Sequence, residues 1–206
     1  MVKESWDELE HRILALSHKH KLSHLGGCLT AVKIIDTIYA LMQDGDKFVL
    51  SSGHVGMALY VVLEKYFGLD AEKIFLHHGV HPSKCKECKI EVSSGSLGQG
   101  LPIALGMALT TDKNVYCLIS DGECAEGSIW EALAIREKYK LFNLRVFVNC
   151  NGWGAYDPID LDFLEKRLYA FTDIMVVKTA IEDDAYLLSI DPDRKLLGQS
   201  EHYVVL

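Results

Sequence analysis

Thirty positions separate Asp121 from Asn151, and each follows an apolar run of the chain. A carboxylate, an amide oxygen and a backbone carbonyl just beyond Asn151 would form an all-oxygen donor set. Such a set suits Mg2+ or Ca2+ and leaves coordination positions for water and phosphate oxygens, so a diphosphate is its natural ligand. His54, in Ser51-Ser52-Gly53-His54, is a second candidate. At a strand-to-helix turn, beside the exposed amides of a helix start, an imidazole is placed to meet an anion. A third candidate is the loop from His77 to Cys88. Its H-x2-H-x3-C-x2-C pattern, His78, His81, Cys85 and Cys88, offers nitrogen and sulfur donors for tetrahedral zinc, but a single C-x2-C is only half of the usual structural zinc signature. His77 or His78 can supply the imidazole and leave His81 free for other work.

The elements around Asp121 and Asn151 decide whether they can meet. Residues 115–119 form an apolar run that by length and composition reads as a buried strand. The acidic turn Ser120-Asp121-Gly122-Glu123 follows it. Ile129, Leu133 and Tyr139 then recur at roughly helical spacing, and residues 144–148 form a second buried strand that leads into Asn149-Cys150-Asn151. A strand, crossover helix and strand make a parallel pair, so both strands end at the same sheet edge. Open α/β sheets bind their ligands at that edge.

The rest of the chain reads as more of the same architecture. A capping box, Ser5 with Glu8, opens a first helix that runs to about residue 20, with Leu9, Ile13 and Leu16 at helical intervals. A turn with paired glycines, Gly26 and Gly27, leads to a helix with Val32, Ile35, Ile38 and Tyr39 on its apolar side. A short strand is predicted at 48–50, a helix near Met57 to Tyr66, another from about residue 70, one over 101–109, one over 160–169 and a strand over 174–178. The spacing predicts an α/β fold with a mostly parallel sheet and helices on both faces. With 206 residues, the chain is expected to be a single domain.

Composition narrows the function classes. There are 21 basic and 29 acidic residues, a net charge of −8, and no dense run of Lys and Arg to suggest nucleic acid. No apolar stretch approaches the roughly 20 residues needed to span a bilayer. The charged start of the chain does not read as a signal peptide, so a cytoplasmic protein is expected. Six cysteines, at 28, 85, 88, 117, 124 and 150, are then expected to be reduced rather than paired.

Five motifs resemble segments of the transketolase family, in that family's order. Asp121-Gly122 followed by Glu123, Glu126-Gly127-x-x-Trp130-Glu131-Ala132 and then Asn151 is similar to that family's thiamine diphosphate motif, with Ser120 in place of its first glycine. Ser94-Gly95-Ser96-Leu97-Gly98-Gln99-Gly100 resembles its glycine-rich turn, Ser23-His24-Leu25-Gly26-Gly27 and Ser51-Ser52-Gly53-His54 resemble two histidine segments, and His81-Pro82 resembles a third. The resemblance, over roughly residues 5–180, implies a thiamine-diphosphate-binding fold of the diphosphate-binding (PP) type, truncated at its C-terminal end. It implies that Asp121, Asn151 and the Trp153 carbonyl hold Mg2+ or Ca2+, and that Gly122, Glu123, His54, Gly95 and Leu97 contact the cofactor. His24, His54 and His81 face the substrate, and Glu126 and Glu131 match carboxylates at the subunit contact, Glu126 with a catalytic role. A late histidine of the family near the phosphate corresponds at best to His202.

The same resemblance places the glutamate that activates the cofactor, and the aromatic residue stacked on its ring, on a second, pyrimidine-binding domain. The expectation is therefore one subunit of a split enzyme that transfers a two-carbon ketol unit between free or phosphorylated sugars. A C-terminal-type subunit would supply the missing domain in an α2β2 heterotetramer. The alternatives are an α-like subunit of a 2-oxo acid decarboxylating enzyme, a degenerate binding module without activity, and an interaction protein stabilised by zinc.

Overall fold

Strand composition sets the architecture. In the computed structural model, which describes residues 8–22, 24–154 and 157–179, four parallel strands form one sheet. They are β1 (Lys47–Leu50), β2 (Val115–Ser120), β3 (Leu144–Cys150) and β6 (Met175–Lys178), lying side by side in that order. Val115 pairs with Leu144 and Ser120 with Asn149. All six residues of β2 are buried, as a parallel strand covered on both faces requires.

Alternate strand residues serve two separate cores. Phe48, Leu50, Tyr116, Leu118 and Phe147 face one layer, built from α1 (Glu8–His20), α2 (Leu25–Leu41), α3 (Gly56–Phe67) and α4 (Ala71–His78). Val49, Val115, Cys117, Ile119, Val146 and Val148 face the other, built from α5 (Gly100–Ala108), α6 (Gly127–Tyr139) and α7 (Leu161–Phe171). The period of two along each strand thus produces helix, sheet and helix layers. The expected α/β class with a mostly parallel sheet is what the chain adopts. Among the described residues, no helix is long and apolar enough to cross a membrane.

Three local features differ from the expectations. Tyr139 is 60% exposed, and the buried side of α6 consists of Ile129, Ala132, Leu133 and Arg136. Arg136 sits there because its Nε donates to the Leu144 carbonyl (2.9 Å) and its Nη1 to Thr172 Oγ1 (2.8 Å), which satisfies a buried guanidinium. Beyond β3, a two-residue hairpin pairs β4 (Trp153–Gly154) with β5 (Asp157–Pro158), strands too short to leave a pattern. Ser5 and His202 lie outside the described residues, as does most of the segment beyond β6.

Candidate functional site

The carboxyl ends of the strands carry the site. Asp121 closes β2 and is buried, and its Oδ1 accepts from the Gly122 amide (2.9 Å). Its Oδ2 accepts from the Gly152 amide (2.7 Å), which binds the end of β2 to the segment leaving β3. Asn151 is held with Nδ2 toward Thr30 Oγ1 (3.5 Å) and Oδ1 accepting from the Trp153 amide (3.1 Å). Burial pushes the Asp121 carboxyl up to about 6, a shift reduced by the amides of Gly152 and Gly122. The Trp153 carbonyl oxygen lies 3.7 Å from where a Cβ on Gly122 would stand, so it too borders this turn.

These groups open into a cleft of about 290 Å³, lined by Asp121, Gly122, Asn151 and Trp153 together with His24, His54 and His81. The His24 and His54 rings are 5.1 Å apart. Burial, then the neighbouring His24 and His81, push His54 down to about 4, and burial followed by His81 lowers His24. Both are therefore neutral imidazoles at pH 7, able to donate through one nitrogen and accept through the other. His24, which caps the helix that follows, sits in the left-handed region with φ 61°.

Gly95 and Leu97, from the turn before α5, complete the cleft. Gly95 has φ 147°, and a Cβ there would meet the His81 ring at 2.9 Å. A glycine is required for that imidazole to pack on the turn. Leu97 is 41% exposed, an apolar side chain held out at the cleft rim.

Two acidic candidates do not line the cleft. Glu123 is fully buried beneath it. Its Oε1 accepts from Ser51 Oγ (2.6 Å) and the Gly98 amide (2.9 Å), and its Oε2 from the Ser120 amide (3.0 Å). Its position is that of a strap joining β1, β2 and the glycine-rich turn, because three protein donors occupy the carboxylate that the resemblance directed to the cofactor. Burial raises its pKa, against the pull of Ser51 and Gly98. Glu126 precedes α6, is exposed and packs against Gly98, and Glu131 is exposed one turn on; both face outward.

The histidine and cysteine loop divides in two. His81 goes to the cleft, whereas the ligand atoms of His78, Cys85 and Cys88 lie within 4.8 Å of one another. Thr30 was not among the expected residues. Its hydroxyl receives the Asn149 amide (3.0 Å) as well as that of Asn151 and donates to the Gly27 carbonyl (3.1 Å), anchoring the first turn of α2 to the end of β3.

The donor set fits a cation-held diphosphate. Among the described residues, the cleft lining includes no Lys or Arg, so these residues offer a diphosphate no permanent positive charge. They do offer carboxylate, amide and carbonyl oxygens, the hard ligands of Mg2+ or Ca2+.

Comparison with known proteins points the same way. The family model for the thiamine diphosphate binding domain of transketolase matches residues 29–173. The chain is 44% identical over 195 residues to the transketolase of Homo sapiens, covering 84% of this chain and 30% of that protein. It is 31% identical over 200 residues to one of the named subunits of the apulose-4-phosphate transketolase of Actinobacillus succinogenes, covering 81% of this chain and 72% of that one. In structure it resembles the transketolase of Campylobacter jejuni with a TM-score of 0.65 at 21% sequence identity, over 84% of this chain and 36% of that chain, a likeness that concerns the fold. The chain thus spans less than a third of the mammalian transketolases it matches, 26% of that of Pongo abelii and 30% of the human one.

Proposed function

This chain belongs to the transketolase family, and on that footing we propose that it is the diphosphate-binding half of a split, Mg2+-dependent transketolase-like enzyme, a transferase of two-carbon ketol units between sugars. The observation that carries the reading is the meeting of Asp121, Asn151 and Trp153 with His24, His54 and His81 in one cleft at the carboxyl edge of the sheet. In this reading the whole chain is one diphosphate-binding domain. Asp121, Asn151 and the Trp153 carbonyl hold the cation, and Gly122 lets a phosphate approach closely. His54, neutral at pH 7, donates to a phosphate oxygen. Gly95 and Leu97 line the cofactor ring, and His24 and His81 bind substrate hydroxyls and pass protons to and from them. Thiamine diphosphate, when bound, supplies the nucleophile that makes and breaks the carbon–carbon bond.

The pyrimidine-binding domain and its activating glutamate come from a second chain, in an α2β2 assembly, in the cytoplasm. Two observations favour a partner over this face. The Actinobacillus relative is itself named as one subunit of its enzyme, and it matches this chain over most of its own length. Helix α5 is apolar nearly all round, yet Ile103 is 41% exposed, Gly106 has open space at its Cβ position, and Leu109 just past its end is 55% exposed. A helix of that composition is ordinarily covered. The test mixes the chain with a C-terminal-type transketolase subunit, thiamine diphosphate and Mg2+. It follows cofactor binding by calorimetry and two-carbon transfer from a ketose phosphate donor. Binding that requires both Mg2+ and Asp121 is expected. No binding with the partner present, or equal binding by Asp121→Asn, overturns the proposal.

A further inference from the structure

The segment between α4 and the glycine-rich turn contains a second cluster of donors, apart from the cleft. His78 Nε2 lies 3.4 Å from Cys88 Sγ, and these two atoms and Cys85 Sγ all lie within 4.8 Å of one another. Tetrahedral zinc with bonds of about 2.3 Å to sulfur and about 2.0–2.1 Å to nitrogen sets its ligands about 3.6 Å (N to S) and about 3.8 Å (S to S) apart. The three side chains are therefore already near the spacing of a bound ion. All three are half-buried, deep enough to hold an ion and open enough to admit one.

The backbone is shaped for the same end. Cys85 and Ile90 form an antiparallel bridge, the Cys85 amide donating to the Ile90 carbonyl (2.9 Å) and the Ile90 amide to the Cys85 carbonyl (2.8 Å). Between them the chain turns through Lys89 at φ 59°. The Cys88 amide donates to Cys85 Sγ (3.2 Å), a bond that strengthens when the sulfur carries thiolate charge. All six cysteines are free.

We propose that His78, Cys85 and Cys88 form a zinc site that staples the loop carrying His81. The fourth position falls to solvent or to Glu87, whose carboxylate is 3.6 Å from Cys85 Sγ. Binding one Zn2+ displaces a proton from each thiol, and the neutral His78 imidazole coordinates through Nε2; nothing is oxidised or reduced. The staple holds the C-terminal end of α4 to the bridge, and the residues between them, Gly79 to Pro82, bring His81 onto Gly95. Tyr60 Oη donates to the Gly79 carbonyl (3.1 Å) and the Ser94 amide to the Pro82 carbonyl (3.0 Å), clamping the same stretch from either side.

The site is tested on the full chain by metal analysis and by Co2+ substitution. About one zinc per chain is expected, and the Co2+ form should show sulfur-to-cobalt charge-transfer bands. Both should be lost in Cys85→Ser/Cys88→Ser and reduced in His78→Gln. If those variants fail to fold, alkylation of the native chain decides. Cys85 and Cys88 should be protected by zinc and become reactive on chelation, with hydrogen exchange of residues 79–95 rising at the same time. Zinc content no greater than in the double variant, or alkylation of the two cysteines at equal rates with and without chelator, overturns the proposal.

Discussion

Replacing Glu123 by Gln tests whether that residue is a strap or a ligand. In the native protein, Oε1 receives Ser51 Oγ and the Gly98 amide while Oε2 receives the Ser120 amide. A glutamine keeps its oxygen where two donors converge and turns its NH2 against the Ser120 amide, donor against donor. Leaving that amide unpaired costs about 1–3 kcal/mol, and the two surviving bonds, no longer made to a charged acceptor, lose about 1 kcal/mol each. Relief from burying a carboxylate offsets part of this, so a net loss of about 2–3 kcal/mol is expected. The assay is urea unfolding followed by circular dichroism, with no cofactor present. Glu126→Gln, exposed beside the same turn, is the control and should stay within about 0.5 kcal/mol of the parent. A Glu123→Gln protein as stable as the parent would refute the strap and return this residue to the cofactor.

Two further outcomes follow from the geometry. Gly98 has φ 79°, and a Cβ there would lie 2.5 Å from Ser128 Oγ and 2.7 Å from Glu126 Cβ. Gly98→Ala should thus cost about 2–5 kcal/mol from backbone strain and overpacking, while Gly106→Ala, with open space around it, should stabilise α5 in the isolated chain by about 0.5–1 kcal/mol; denaturant melts that rank the two alike contradict this. For His54 the folded protein resists protonation until about pH 4, against an ordinary 6.5, so the unfolded chain binds more protons between those values. Stability contributed by the neutral ring is complete above pH 6.5 and declines as the pH falls toward 4, by up to about 3 kcal/mol. An NMR titration that places the His54 ring near 6.5 would rule this out.

Asp121 and Asn151 were legible because parallel pairing leaves little choice. Once 115–119 and 144–148 read as strands joined by a crossover helix, both residues had to emerge at one edge. Glu123 lies in a short 3-10 turn, Gly122–Ala125, where no period tells which way a side chain points. Two residues from Asp121, it faces downward into Ser51 and Gly98 rather than outward. Thr30 lay beyond sequence reasoning for another reason. Its partners Asn149 and Asn151 are 119 and 121 positions away, and a threonine in an apolar helix gives no hint of them. The division between His78 and His81 was open in the sequence, since either fits the zinc spacing. In the structure His81 packs on Gly95 and lines the cleft, while His78 lies beside Cys88.

In the proposed function, the charge arrangement calls for a cation between the diphosphate and Asp121. A diphosphate carries more than one negative charge, and the chain it approaches has a net charge of −8. The cleft meets it with His24 and His54, both shifted toward neutrality by burial, and with Asp121, and among the described residues its lining includes no Lys or Arg. Direct binding would place one anion beside another in a partly desolvated site, an arrangement that costs several kcal/mol at protein-like dielectric. A divalent ion between them would reverse the sign of that term and, in the proposed site, make the buried Asp121 an anchor instead of an obstacle. The neutral histidines would then serve better than arginines. They can donate or accept at neighbouring hydroxyls without adding charge that would tighten substrate and product alike.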